Sequence, residues 1–344
     1  MSALRHCTVV ILAVLLAVGC TTPHRTDDSN EAAALIIAHR GASGYLPEHT
    51  LSAALLAYQQ GADYIEQDLV MSRDGHLVVL HDIHIDRVTN VAEVFPTRKR
   101  QDGRYYAIDF DLAELKELAV IERRKVDGSK VYPARYGGDA TFKIATFEEH
   151  IQLIQQLNKI FNQQVGIYAE IKAPAWHRLQ GKDITLATVV ALDRWQLNNP
   201  TANVFLQCFD FAEIQRLRDE LKVKVPLIQL IGDDSWQESD TDYAYLLSTA
   251  GLAEVARYAD GIGPWLPQVL AEPDNSGLTL AQRARQQQLL VHAYTFRSDD
   301  LPSQWASHTL LDALFNEHAI DGVFTDQTDV VRAYLDHISA TVQR

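Results

Sequence analysis

From residue 35 onward, short apolar runs alternate with longer stretches whose apolar positions recur at helical spacing. Eight runs have the length and composition of β-strands: Leu35 to Ala38, Tyr64 to Leu69, Gly166 to Ile171, Val204 to Cys208, Leu227 to Leu230, Gly261 to Gly263, Leu289 to Tyr294 and Gly322 to Thr325. Helical periodicity occupies His49 to Gln60, Phe147 to Phe161, Ile184 to Trp195, Ala212 to Leu221, Leu280 to Gln288 and Leu310 to His318. This alternation predicts an α/β chain with a parallel sheet and helices outside it. Eight strands allow the sheet to close into a (β/α)8 TIM barrel, which removes its open edges.

One region breaks the rhythm. From about residue 83 to 143 the chain is rich in charge, Gly, Tyr and Pro, as in Thr97 to Gly103 and Tyr136-Gly137-Gly138. A connection of that length inside a compact domain is either functional or a small subdomain of its own. The pattern predicts an insertion after the second strand, lying over the barrel mouth.

The N-terminus follows a different logic. Arg5 and His6 precede the apolar run Val9 to Val18, and Gly19-Cys20 follows, which predicts a signal peptide over residues 1–19. The run is too short to span a bilayer as a mature helix. Leu16 to Cys20 resembles a bacterial lipobox, with Ala17 where Leu is more usual. That resemblance implies lipidation at Cys20, a polar tether over 20–33, and a barrel domain over 34–340. Thr21 after the cysteine implies sorting to the outer membrane, facing the periplasm. A plain signal peptide, leaving a soluble periplasmic protein, is the alternative.

Composition narrows the partners. Lys and Arg total 31 against 45 for Asp and Glu, a formal charge of −14, which argues against recognition of nucleic acid through a global positive field. Any phosphate must be met by a local arrangement of cations. The cysteines are Cys7, Cys20 and Cys208, so no disulfide framework is expected, and Cys208 reads as a buried strand residue. A homodimer is compatible with the sequence.

Chemistry concentrates at strand ends, where a parallel barrel presents its catalytic loops. His39-Arg40-Gly41 directly follows the first strand. Glu66 and Asp68 stand at i and i+2 on the second, so both carboxylates project from one face. Burying two carboxylates together without a cation would cost several kcal/mol, so the pair calls for a metal or a base. Glu170 and Lys172 repeat the spacing on the third strand. Three inward carboxylates provide hard oxygen ligands for Ca²⁺ or Mg²⁺, whereas no Cys or His cluster has zinc spacing. Arg40 and Lys172 are the local cations for a phosphate; a salt bridge from Lys172 to Glu170 is compatible with that role. His81-Asp82 supplies a second imidazole, and two histidines can serve as acid and base in phosphoryl displacement.

Taken together, Ala38 to Ala42, Pro47 to Thr50, Glu66-Gln67-Asp68, Asp74-Gly75, His81-Asp82, Glu170-Ile171-Lys172, Leu206 to Phe209, Asp260 to Pro264 and Gly322 to Asp326 resemble the glycerophosphodiester phosphodiesterase family, within it the periplasmic bacterial branch. The resemblance covers nearly the whole mature chain. It implies a barrel with an inserted subdomain, Ca²⁺ (in some relatives Mg²⁺) as cofactor, and hydrolysis of small glycerophosphodiesters to sn-glycerol 3-phosphate and an alcohol. His39 and His81 would be the acid/base pair, Glu66, Asp68 and Glu170 the metal ligands, and Arg40 and Lys172 the phosphate holders. His49 marks the branch, its role open; Glu48 supports the metal site or caps the first helix. Tyr294 and Phe296 are expected to line the glycerol pocket, with Trp265 a further wall. Two other readings remain: a barrel phospholipase, disfavoured by the polar insertion, and a surface-binding lipoprotein that has lost catalysis.

Overall fold

The computed structural model describes residues 34–342. The expected signal peptide, Cys20 and the tether lie outside the described residues.

Among the described residues, nine strands form one sheet: β1 (Leu35–Ala38), β2 (Tyr64–Met71), β3 (Leu77–Val79), β4 (Gly166–Ile171), β5 (Val204–Cys208), β6 (Leu227–Ile231), β7 (Gly261–Pro264), β8 (Leu290–Phe296) and β9 (Gly322–Thr325). All except β3 pair in parallel, and β1 bonds to both β2 and β9, which closes an eight-stranded barrel. The eight staves are the eight runs expected from sequence. The short strand β3 was not among them; it folds back antiparallel on β2, with Met71 opposite Leu77.

Strand parity divides the core. Ile37, Tyr168, Phe205, Ile228 and Phe324 pack together inside the barrel, while the alternate residues Ile36, Ile65, Ala169, Leu206 and Val323 join the larger cluster beneath the helices. Helix starts are set by ordinary caps. Thr50 receives the Ala53 amide ahead of helix Leu51–Gln59, and Thr146 forms a capping box with Glu149 ahead of helix Phe147–Phe161. The cap on the first helix is therefore Thr50; Glu48 is committed elsewhere. Cys208 is buried, its Sγ donating to the Ile171 carbonyl, and burial pushes its thiol up.

The arrhythmic region has a core of its own. Ile85, Val88, Val91, Tyr105, Phe110, Leu115, Leu118 and Val120 pack against Val70 and Val78 on β2 and β3. Isolated antiparallel bridges such as Thr89 with Val120 and Arg124 with Lys130 replace regular strands. The segment folds by burying these side chains against the sheet, which hydrophobic periodicity alone does not reveal.

Candidate active site

The chain turns sharply as it leaves β1. Arg40 and His49 adopt φ of 59° and 62°, and Gly41 adopts 78°. A Cβ on Gly41 would stand 2.7 Å from the Ala53 backbone carbon, so only glycine lets this turn pack onto the following helix. The turn aims the Arg40 amide at Glu66, its N–H donating to Oε2 at 2.6 Å, and sets His49 against Asp68, Nε2 to Oδ2 at 2.7 Å.

Each expected catalytic histidine is backed by a carboxylate. The His39 Nδ1–H donates to Asp326 Oδ1 at 2.6 Å, and the His81 Nδ1–H to Asp82 Oδ1 at 2.8 Å. Both imidazoles line one cavity of about 260 Å³, together with Arg40, Glu66, Glu170 and Tyr294. Burial, then the Arg40 charge, pushes His39 down to about 4 despite Asp326. Burial, then Arg40 and Lys172, pushes His81 down to about 3. Both are neutral near pH 7. In His39, with Nδ1 protonated, Nε2 carries the lone pair, and Arg40 Nε stands 3.3 Å from it. Burial works against the Asp326 charge, but Arg297, His39 and Arg135 outweigh it and hold that carboxylate well below its usual range.

Among the described residues, His49, Glu66 and Asp68 each offer a donor atom within 4.8 Å of the others. Two of the three expected metal ligands are thus brought together, with His49 beside them. Glu170 is the register neighbour of Asp68 on β4, and its Oε1 accepts from Lys172 Nζ at 2.7 Å, the salt bridge anticipated from sequence. The cluster fits a hard divalent cation. Among the described residues Asp68 Oδ1 is buried with no partner, and Glu66 is raised well above the usual carboxylate range by burial, then by Asp68 and Glu170. Burial also pushes Glu170 up, to about 8, against the pull of Lys172. Burial acts the same way on Asp68, but His81, His49 and Lys172 hold it well below.

Glu48 does not cap the first helix. It is half-buried between Arg40 and Arg123, accepting from Arg40 Nη1 at 3.2 Å and from Arg123 Nη2 at 2.6 Å.

The expected aromatic pair at the end of β8 separates. Tyr294 lines the cavity beside Trp265, its hydroxyl donating to the Ile231 carbonyl at 2.8 Å. Phe296 does not reach it; the side chain is fully buried in the core under the helices. The cause is a register shift between Ala293 and Phe296, which breaks the alternation that would have placed residues 294 and 296 on one face. Asp326, quoted in the last sequence motif without a role, is the residue that sequence reasoning missed. A second cavity of about 180 Å³ adjoins the first through His39, Arg40, His81 and Arg297, and the segment after β3 lines it with Arg123, Val131, Tyr132 and Arg135.

The chain matches the model of the glycerophosphoryl diester phosphodiesterase family over residues 39–330. It is 41% identical to a glycerophosphodiester phosphodiesterase of Haemophilus influenzae, covering 97% of this chain and 99% of that one. It is 34% identical to the Treponema pallidum enzyme of the same name, over 86% and 90%. Solved structures share the fold. An Oleispira antarctica phosphodiesterase in complex with the product sn-glycerol-3-phosphate has a TM-score of 0.60 at 21% identity, covering 88% of this chain and 97% of that one. A Thermotoga maritima glycerophosphodiester phosphodiesterase gives 0.56 at 18%, over 87% and 97%. This chain is an enzyme of phosphodiester cleavage and belongs to the glycerophosphoryl diester phosphodiesterase family.

Proposed function

We propose that the chain hydrolyses small water-soluble glycerophosphodiesters, such as glycerophosphocholine and glycerophosphoethanolamine, to sn-glycerol 3-phosphate and an alcohol. The observation that carries this reading is the convergence of two carboxylate-backed imidazoles, Arg40 and the carboxylates Glu66 and Glu170 on one cavity, with Lys172 paired to Glu170 in its wall. Arg40 and Lys172 would hold the nonbridging phosphate oxygens, Tyr294 and Trp265 the carbon skeleton. Glu66, Asp68 and Glu170 would hold Ca²⁺, or Mg²⁺, with His49 orienting Asp68. When bound, such an ion draws charge off the phosphate oxygens.

The proton traffic follows from what surrounds each imidazole. Arg40 and Lys172 help keep His81 neutral, and they are the groups a phosphate would neutralise. Binding of the diester therefore raises the basicity of His81 and arms it to protonate the leaving alkoxide. His39 is opposed by Arg40 but supported by Asp326; its Nε2 accepts from Arg40 Nε at 3.3 Å, and once Arg40 turns to the phosphate that lone pair takes the proton of the attacking water or hydroxyl.

His39→Ala and His81→Ala should each lower turnover on glycerophosphocholine by about 10²- to 10⁴-fold without altering the fold. Near-normal release of glycerol 3-phosphate by either variant would remove the assignment, and faster cleavage of intact phospholipid than of glycerophosphocholine would remove the substrate class. For the N-terminus we propose export and lipidation at Cys20, supported by the order of charge, apolar run and cysteine. Labelled palmitate should enter the wild type and not Cys20→Ala; incorporation unaffected by that change would refute it.

A further inference from the structure

The insertion reaches the mouth through a repeated device. Arg123 Nη1 donates to Asp82 Oδ2 at 2.6 Å, while Asp82 gives its other oxygen to His81. Arg135 Nη2 donates to Asp326 Oδ2 at 2.7 Å, while Asp326 gives its other oxygen to His39. In each case a guanidinium from the inserted segment donates to the carboxylate oxygen that the imidazole leaves free, at Asp326 alongside Arg297 Nε at 2.9 Å. We propose that Arg123 and Arg135 are positioning residues, which lock the two carboxylates behind His81 and His39, so that the insertion completes both ends of the acid/base pair. The proposal rests on the acid/base reading above.

Geometry favours this over simple docking of the segment. Each arginine is itself held on a second anchor, so its reach is fixed. Arg123 donates through Nε and Nη2 to Glu48 at 2.9 and 2.6 Å, and Glu48 in turn accepts from Arg40. Arg135 forms a two-pronged pair with Asp299, at 2.8 and 3.0 Å, lies 3.7 Å over the Tyr132 ring, and donates through Nη1 to the Ser43 carbonyl. Both guanidiniums are largely shielded, with side chains 16% and 5% exposed. A planar fork of donors held on two carboxylates fixes orientation in a way a single point charge does not. Nothing in the segment need touch substrate for it to set the aim of both rings.

The test is steady-state kinetics on glycerophosphocholine with the full-length enzyme. Arg123→Gln and Arg135→Gln should each lower kcat by about 10- to 100-fold with KM within about threefold, the pattern of a misaimed reactive group. In the Arg123→Gln background, Asp82→Asn should cost little more, because the relay is already broken, whereas Arg135→Gln should cost its full amount. Arg124→Gln, an exposed neighbour bonded to the Gly128 carbonyl, should behave as wild type. If the Gln variants do not fold, Arg123→Lys and Arg135→Lys keep the charge but lose the planar fork that fixes two carboxylates at once; they should show lowered kcat at unchanged KM. Wild-type kcat in both members of whichever folded pair is measured, with His39→Ala and His81→Ala inactive, overturns this proposal alone. Additive losses from Arg123→Gln and Asp82→Asn also overturn it. Active His39→Ala or His81→Ala would instead remove the reading on which it stands.

Discussion

Replacing Asp326 by Asn changes one oxygen for an amide nitrogen, and the surrounding donors decide where that nitrogen goes. Asp326 Oδ2 accepts from Arg135 Nη2 and from Arg297 Nε, at 2.7 and 2.9 Å, whereas Oδ1 accepts only from His39. Turning the new NH₂ toward the guanidiniums would set donors against donors and lose two charge-assisted bonds, each worth about 1.5–3 kcal/mol. The Asn oxygen therefore stays on the arginines, and the NH₂ faces His39 Nδ1. That nitrogen must now accept, so the ring proton moves to Nε2 and the lone pair leaves the cavity side. An imidazole locked in the wrong tautomer can lose about 10⁴ in turnover, and allowing for partial rearrangement we expect about 10²- to 10⁴-fold here, or about 3 to 5 kcal/mol of transition-state stabilisation.

The fold should tolerate the change. Arg135 retains its pair with Asp299, so unfolding free energy should fall by about 2 kcal/mol, the scale of one hydrogen bond to a charged group. The assay is glycerol 3-phosphate release from glycerophosphocholine, alongside imidazole ¹⁵N shifts, which separate the two tautomers. A variant within about tenfold of wild-type kcat, well short of a general-base loss, refutes the reasoning. So does a His39 ring that still carries its proton on Nδ1.

Tyr294→Ala should raise KM for glycerophosphocholine with little change in melting temperature, whereas Phe296→Ala should lose about 3–5 kcal/mol of stability with KM unchanged, and the reverse pattern would mean the shift in β8 is misassigned. Ca²⁺ at about 100 times its Kd should stabilise the wild type by about 2.7 kcal/mol and should do so far less for Glu66→Gln; thermal melts indifferent to both Ca²⁺ and chelation would exclude an ion at that cluster. His292 is pushed down to about 3 by burial, from an ordinary value of 6.5, so the unfolded chain takes up the proton first. Its contribution to stability is whole above pH 6.5 and is lost as pH falls toward 3; urea titrations from about pH 4 to 7 should show a flatter slope for His292→Gln, and an unchanged slope would mean that the ring is not held neutral.

The barrel was legible because its signal is periodic. Each stave carries its own two-residue alternation, so Glu66 with Asp68, and Glu170 behind Tyr168, could be assigned to the inner face from spacing alone. Phe296 shows where this fails: one irregularity in β8 turns a side chain from the pocket into the core, and nothing in the residue types marks it. Asp326 was hidden for another reason. It lies 287 positions from His39, and they meet only because β9 closes on β1. Arg123 and Arg135 were less visible still. They lie in a segment ordered by side-chain burial and isolated bridges, where charge reads as solvent exposure until the fold shows each guanidinium between two carboxylates.

The apolar floor of the barrel and the reactivity of its mouth are one physical fact. Below Glu66, Asp68 and Glu170 the interior is filled by Tyr168, Phe205, Ile228 and Phe324, with Tyr168 and Phe205 stacked at 4.9 Å. The layer closes tightly over β7, where a Cβ on Gly261 would stand 2.7 Å from Ile228 and 2.8 Å from the Leu290 carbonyl oxygen, so only glycine fits there. An apolar floor offers these carboxylates no polar partner from below, and burial is accordingly the largest influence raising Glu66 and Glu170. The same desolvation holds both imidazoles neutral. Packing that stabilises the barrel therefore also sets the charge state of the groups above it. A polar substitution in the floor, such as Phe205→Ser, should wet the carboxylates and shrink the Ca²⁺-dependent stabilisation expected above; an unchanged Ca²⁺ shift in thermal melts would refute the link.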